Sequence, residues 1–448
     1  MTDYISRISE FASTLTYDRL PMTVVNRARF VLLDTIGVIV GGAQETEIKA
    51  LTEKSGSCPG QASVLGRGCR KDAQSAAFIN GTAGTFLELD EGNQFCRGHP
   101  AIHVVPAILA FAEENHLSGR DLITCLVVGY EIGARIGIAS KIRMSMHPHG
   151  TWGTVGAASA VGRGAGLDPA RMKTLINISS SMGLATSRKT MLEGGTVRNA
   201  YAGISNTMGL LALTLESSGI TGEKDGIATI YGSVVSESFD PSAMVEELGS
   251  RFEISRNYFK LHACCRYNHS ALDAIAMISS KFESGRIPAD EVAQVTVETY
   301  SLAAQLDDPA PCNMLAAKFS IPFAVAAYIV TGDSGVESFR ESKVKHPQIL
   351  SLAQKVTVTQ CDELTSMMPK YRSSNVALKM KDGRTYMAQT KLNKGDFEDP
   401  YSDSDIENKY FNLVQPVWDP SRSAALHAAV MKIETIEDIT DITRRLAD

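Results

Sequence analysis

The sequence predicts a mainly α protein, with a large all-helical domain and a smaller α+β lid domain inserted before the C-terminal helices. Two observations predict it. Up to about Asn257, segment after segment repeats apolar residues at helical spacing, and many of these segments are rich in Ala and Gly. After about Lys260 the pattern turns to β-branched alternation, and from Ser402 the polar tail is helical again. The expected domains are residues 1–257 plus 396–448 for the helical part and 258–395 for the lid.

Pro21 precedes Thr23 to Asp34, whose apolar positions 24, 25, 28, 31 and 32 mark one face of a helix. Further helices are expected over 72–89, 104–114, 119–140, 153–164, 169–180 and 200–217. Their small residues let helix axes approach closely, as buried helices require. In the lid, a helix is expected over 269–284 and another over 316–331. Val292 to Tyr300 alternates with period two and reads as a strand, and 355–359 and 375–380 read as two more. Asp382-Gly383 is a hairpin turn leading into a strand over 385–392.

The chain has 44 Lys and Arg against 50 Asp and Glu, a formal charge of −6, so no basic face invites nucleic acid. An anionic substrate would need a few cations gathered locally. The first ten residues lack a basic stretch followed by an apolar one, so no signal peptide is expected. No uncharged apolar run reaches the ~18 residues that span a bilayer. The best candidate, Val31 to Gly41, contains Asp34. These features predict a cytoplasmic protein with no membrane partner. Eight cysteines, none in a Cys-x-x-Cys pair, are expected as thiols.

Four segments could carry chemistry. The first runs from Leu87 through Glu88, Asp90, Glu91 and Arg97 to His99-Pro100, an acidic cluster followed by a histidine at a helix entrance. A capped surface loop explains it equally well. The second, Met144 to Thr154, holds His147, His149 and Trp152 ahead of an Ala/Gly-rich helix. Two solvated histidines in a glycine turn would look the same. The third, Met191 to Gly203, offers Gly194-Gly195 and the fork of Arg198, which can grip a carboxylate in two places. An ordinary turn is the simpler reading of that segment alone. The fourth, Tyr258 to His269, crowds Lys260, His262, Cys264, Cys265, Arg266 and His269 at the junction of the two patterns.

Zinc on Cys264, Cys265, His262 and His269, or on His99 with His103, fits no usual ligand spacing. No metal is therefore expected. Gly162-Arg163-Gly164-Ala165-Gly166 follows a helix rather than a strand, which argues against a dinucleotide loop. A thiol nucleophile at Cys264 or Cys265 would need a base such as His262 or His269, and buried cysteine is the simpler role.

In order, these segments resemble the MmgE/PrpD family. The resemblance rests on Leu20-Pro21 through Gly37, on the acidic cluster with His99-Pro100 and Val105-Pro106-Ala107, on His147 with Gly153-Thr154 and Gly156-Ala157-Ala158, and on Lys260 with Cys264-Cys265-Arg266-Tyr267 and His269. It runs along nearly the whole chain. It implies a homodimer, a cleft between two domains, no metal or organic cofactor, and a small anionic carboxylate as substrate. Family activities include 2-methylcitrate dehydration, cis-aconitate decarboxylation and iminodisuccinate epimerisation. All three need proton transfer at a carbon next to a carboxylate. By the resemblance, Glu88, His99, His147 and Lys260 are the expected catalytic residues, with His99 the leading acid/base oriented by Glu88 and Asp90 structural. Arg198, Tyr201, Arg97 and Arg266 are the expected substrate contacts. Arg198 and Tyr201 stand where the family more often has lysine and histidine, and Gly92 where it has threonine. A lyase is the favoured reading, with an epimerase or isomerase second and a non-catalytic carboxylate binder third.

Overall fold

The computed structural model describes residues 3–56 and 59–447; Cys58 lies outside them. Helices dominate, with one four-stranded sheet and smaller two-stranded pairings among the described residues. The chain divides into two compact units. The first comprises Met1–Arg188, Val197–Tyr258 and Ser402–Asp448, and the second Lys189–Thr196 and Phe259–Tyr401.

Helices Ala73–Phe86, Pro100–Asn115, Gly119–Ala139, Gly153–Gly164 and Ala200–Ser217 build the core of the first unit. Gly153–Gly164 packs on three of them: Gly119–Ala139, Pro100–Asn115 and Ala200–Ser217. Its crossing with Gly119–Ala139 is glycine on glycine. A Cβ on Gly129 would stand 2.7 Å from the Gly156 carbonyl oxygen, and one on Gly156 2.8 Å from that of Gly129.

The helix expected to begin at Val104 begins at Pro100, whose missing N–H costs nothing in a first turn. Pro106 lies inside it and leaves the Ile102 carbonyl without its helical donor. Asn206 repairs the gap from the neighbouring helix. Its Nδ2 donates to Ile102 O at 2.9 Å and its Oδ1 accepts from Ala107 N at 2.8 Å.

Gly119–Ala139 is long and apolar enough to cross a membrane, and 94% of that window is buried inside the protein. Its two central charges are a buried pair. Arg135 Nε lies 2.6 Å from Glu131 Oε1, and the guanidinium also donates to the carbonyls of Glu246 and Arg251. A helix that carries such a pair fits a protein core.

In the second unit the sheet order is Thr385–Thr390, Ser374–Met380, Val292–Thr299, Val356–Gln360. The first two pairings are antiparallel and the last is parallel, with Val295 opposite Val356. A bulge between Val292 and Gln294 resets the alternation, so that Val292, Val295, Val297 and Thr299 are the buried positions. The expected 316–331 helix is two helices, Met314–Lys318 and Ile321–Thr331. Ser320 caps the second by accepting from Phe323 N at 3.0 Å, and Pro322 in its first turn prevents continuation from the helix before.

Candidate active site

Backbone geometry turns the acidic segment into a platform for His99. After the Ala73–Phe86 helix, Glu88 takes a left-handed φ of 55° and Arg97 one of 57°. Between them Gly92–Asn93 pairs with Asn257–Tyr258, and Asn93 Oδ1 accepts from the N–H groups of Phe95 and Cys96. The turn delivers His99 as the N-cap of the Pro100–Asn115 helix. Lys409, from the C-terminal part of the chain, donates to Leu89 O at 2.6 Å and pairs with buried Asp34 at 2.6 Å. This anchor ties the acidic segment to two distant helices. The sequence offered no signal for it beyond a lone aspartate in an apolar helix.

His99 is buried, with three oxygens around Nδ1: the carbonyl acceptors Glu91 O at 2.7 Å and Asp90 O at 3.3 Å, and Asp90 Oδ2 in ion-pair contact at 3.1 Å. Facing three oxygens, Nδ1 must carry a hydrogen. The neutral ring therefore presents a lone pair at Nε2, the atom through which it can exchange a proton. The carboxylate beside His99 is that of Asp90, which the sequence reading had set aside as structural. The expected orienting residue, Glu88, instead pairs its carboxylate with Arg198, both side chains being fully buried.

Three further histidines surround His99. The His149 ring centroid lies 4.7 Å from that of His99, 4.8 Å from that of His103 and 4.9 Å from that of His147. Their hydrogen bonds sort them. His103 Nδ1 donates to His99 O at 2.8 Å while Nε2 accepts from Gly150 N at 3.2 Å, so both nitrogens are spent on backbone and the ring is locked neutral. Burial pushes His103 down to about 4. A Cβ on Gly153 would lie 2.4 Å from that ring, so only glycine leaves it room. His147 Nδ1 accepts from His149 N at 3.1 Å, which leaves its Nε2 as the remaining atom. Burial first, and then the Arg198 charge, hold His147 and His149 well below the usual histidine range. Neither His149 nor His103 was expected at the site, although His149 lies only two residues from His147.

Glu91 caps the entrance of the same helix, its Oε1 accepting from Ala101 N at 2.8 Å, and Tyr130 Oη lies 3.3 Å from Oε2. Burial pushes this carboxyl up to about 8, and nearby Asp34 and Asp90 add to the rise. It is thus protonated at neutral pH while serving as a backbone acceptor.

Arg188 was also missed. Strand-like contacts bring its segment along the second histidine loop: Leu184 N to Gly150 O at 2.7 Å, Thr186 Oγ1 to His147 O, and Arg188 N to Ser145 O at 2.9 Å. Its charge reaches His147. Tyr201 is buried one turn after Arg198, at the start of the Ala200–Ser217 helix. Arg97 is exposed at the tip of its turn.

Lys260 and Arg266 belong to the second unit. Lys260 is fully buried there. Arg266 donates to Asp396 Oδ1 at 2.6 Å, to His269 Nδ1 at 2.8 Å and to Lys394 O at 3.2 Å. These bonds explain it as an internal tie of that unit. His269 Nε2 in turn lies 3.3 Å from Cys264 O, and burial holds the ring well below the usual histidine range. His262 is held between Ser334 Oγ at 2.5 Å and Asp273 Oδ1 at 3.1 Å.

Asp90, His99 and His149 can bring one ligating atom each within 4.8 Å of one another, the set here best placed to hold a cation. His99 Nδ1 is committed to oxygens, so a metal would have to take Nε2. What the arrangement offers directly is a carboxylate–histidine pair with a single outward nitrogen, neutral imidazoles beside it and an arginine fixed nearby.

The chain matches the model of the MmgE/PrpD N-terminal domain over residues 6–242 and that of the C-terminal domain over 262–435. It is 25% identical to the cis-aconitate decarboxylase of Aspergillus terreus, covering 98% of this chain and 95% of that one. It is 24% identical to the enzyme of the same name from Mus musculus, over 96% and 91%. With the one from Homo sapiens it shares 25%, over 94% and 90%.

Proposed function

Because the chain belongs to the MmgE/PrpD family, we propose that it is a lyase that decarboxylates a small di- or tricarboxylate by proton transfer at the carbon next to a carboxylate. The observation that carries the reading is the state of His99. Two carbonyl acceptors fix its proton at Nδ1 and the Asp90 carboxylate stands beside it to stabilise the imidazolium, so Nε2 is a defined acid/base atom in a buried site. The likeness to cis-aconitate decarboxylases over almost the full length supports decarboxylation ahead of dehydration.

In the proposed step the bond to the departing carboxylate breaks and CO2 leaves. The electron pair stays on the carbon skeleton, delocalised toward a retained carboxylate. His99, as the imidazolium, delivers the Nε2 proton to carbon and returns to the neutral ring, which solvent then recharges. Cations near the retained carboxylates lower the barrier, because charge accumulates on those oxygens as CO2 departs. Arg198 is the proposed cation, positioned by Glu88. As written, the step draws on side chains of the protein alone. The same family resemblance supports a homodimer, which sedimentation equilibrium would test.

The test is a panel of di- and tricarboxylates, cis-aconitate first, incubated in D2O and followed by NMR. Release of CO2 with one deuterium in the product is expected. His99→Gln should lower kcat by roughly 10²–10⁴-fold, the usual scale of general acid–base catalysis. Exchange of an α-proton without CO2 release would move the reading to an epimerase. Binding of panel members with neither exchange nor turnover would make the protein a binder.

A further inference from the structure

His149 is the least explained side chain of the histidine cluster. It is 1% exposed, and neither ring nitrogen has a hydrogen-bond partner among the described residues. A buried neutral imidazole always holds one N–H donor and one lone pair, and leaving either unmatched costs about as much as a lost hydrogen bond. Its neighbours cannot satisfy it as they stand. His103 has both nitrogens on backbone atoms, and His147 Nδ1 is taken by the His149 amide itself. Yet the ring packs directly on His99, and a nitrogen of each lies within 4.8 Å of the other and of an Asp90 oxygen. An unmatched donor on a ring packed against His99 marks where a ligand supplies the missing acceptor.

We propose that His149 is a substrate-contacting residue, whose neutral imidazole N–H donates to a carboxylate oxygen of the substrate and stabilises the charge that builds on that oxygen during the reaction. The proposal rests on the carboxylate-lyase reading and adds a residue to it. A neutral donor suits this place. A cation in contact with His99 would oppose formation of the His99 imidazolium, whereas a neutral N–H stabilises an enolate oxygen without that penalty. Burial and the Arg198 charge keep His149 in the neutral form.

The decisive measurement is ring ¹⁵N NMR of the full chain with propane-1,2,3-tricarboxylate, a tricarboxylate with no double bond to direct decarboxylation. On binding, the protonated nitrogen of His149, assigned by its loss in His149→Gln, should shift, while both His103 nitrogens stay in place. In calorimetry His149→Leu should weaken binding of the same acid about ten- to a hundredfold, the usual worth of a hydrogen bond to a charged group. His149→Gln, which keeps an N–H donor, should recover most of it. Binding by the wild type with an unmoved His149 signal overturns the proposal and leaves the lyase reading standing. So does a folded His149→Leu that binds with wild-type affinity. Should His149→Leu not fold, the wild-type spectrum decides alone. Failure of the wild type to bind either this acid or cis-aconitate would remove the carboxylate reading and the proposal with it.

Discussion

Replacing Asp90 by Asn should cost the protein most of its activity. The side chains are nearly isosteric, and Glu91 O at 2.7 Å still accepts from His99 Nδ1, so the ring should keep its orientation and tautomer. What disappears is a negative charge in contact with the imidazolium. The Asp90 oxygen is 3.1 Å from Nδ1, and both side chains are largely shielded from water. With charge centres roughly 4 Å apart and an effective dielectric of about 20, the lost attraction is about 4 kcal/mol. Some of it returns through the amide dipole, leaving about 3 kcal/mol less stabilisation of positive charge on the ring, worth up to roughly a hundredfold in rate.

Brønsted behaviour returns roughly half of the loss on a logarithmic scale. The expected fall in kcat is therefore about tenfold or somewhat more. The assay is CO2 release from the best substrate of the panel between pH 5.5 and 8.5. An Asp90→Asn variant within threefold of wild type throughout, when His99→Gln is inactive, would refute the link between this carboxylate and proton transfer.

Two further outcomes follow from the buried charges. Arg198→Met leaves the Glu88 carboxylate buried without its cation and should destabilise the first unit by about 3–5 kcal/mol in denaturant titration. Adding Glu88→Gln should restore much of that stability but not the activity, and a single variant as stable as wild type would contradict the pairing. Glu91 has a folded-state value of about 8 against an ordinary 4.5, so the fold favours its protonated form. Its contribution to stability is full below about 4.5 and lost as pH rises through about 8, at up to about 1.4 kcal/mol per pH unit. Denaturation at pH 6 and pH 8.5 should show a smaller decline in Glu91→Gln than in wild type, and equal declines would exclude the raised carboxyl.

Much of the fold was legible because its signals are periodic. The helices at Gly153–Gly164, Pro169–Ser180 and Ala200–Ser217 end where the pattern ends, and the strands fall on the alternating runs. The break between Lys318 and Ile321 was lost because apolar spacing runs through it, while Ser320 and Pro322 carry the stop. The site was legible by residue type and less so by partner. His99, His147, Arg198 and Glu88, chosen by motif order, stand in one unit, and their roles are for the proposed experiments to test. That Asp90 rather than Glu88 faces His99 depends on the left-handed turn at Glu88, which sends neighbouring carboxylates in different directions. Lys409 and Asn206 were invisible because each repairs a backbone carbonyl more than a hundred residues away in sequence.

Such repairs bear on how the site works. Left-handed backbone at non-glycine residues costs on the order of 1–3 kcal/mol each, and the His99 loop contains two, Glu88 and Arg97. The loop holds that conformation because its polar groups are matched from several directions. Lys409 meets Leu89 O, Glu91 meets Ala101 N, and Asn93 joins its own turn and, through Nδ2, the Glu253 carbonyl. Each tie limits the freedom of His99 Nδ1 to leave its acceptors. A ring held this way keeps Nε2 in one direction, so a proton transfer through it would need little reorganisation. In the histidine cluster the hydrogen bonds grade the rings: His103 spends both nitrogens on backbone atoms, His99 and His147 spend one each, and neither His149 nitrogen has a partner among the described residues.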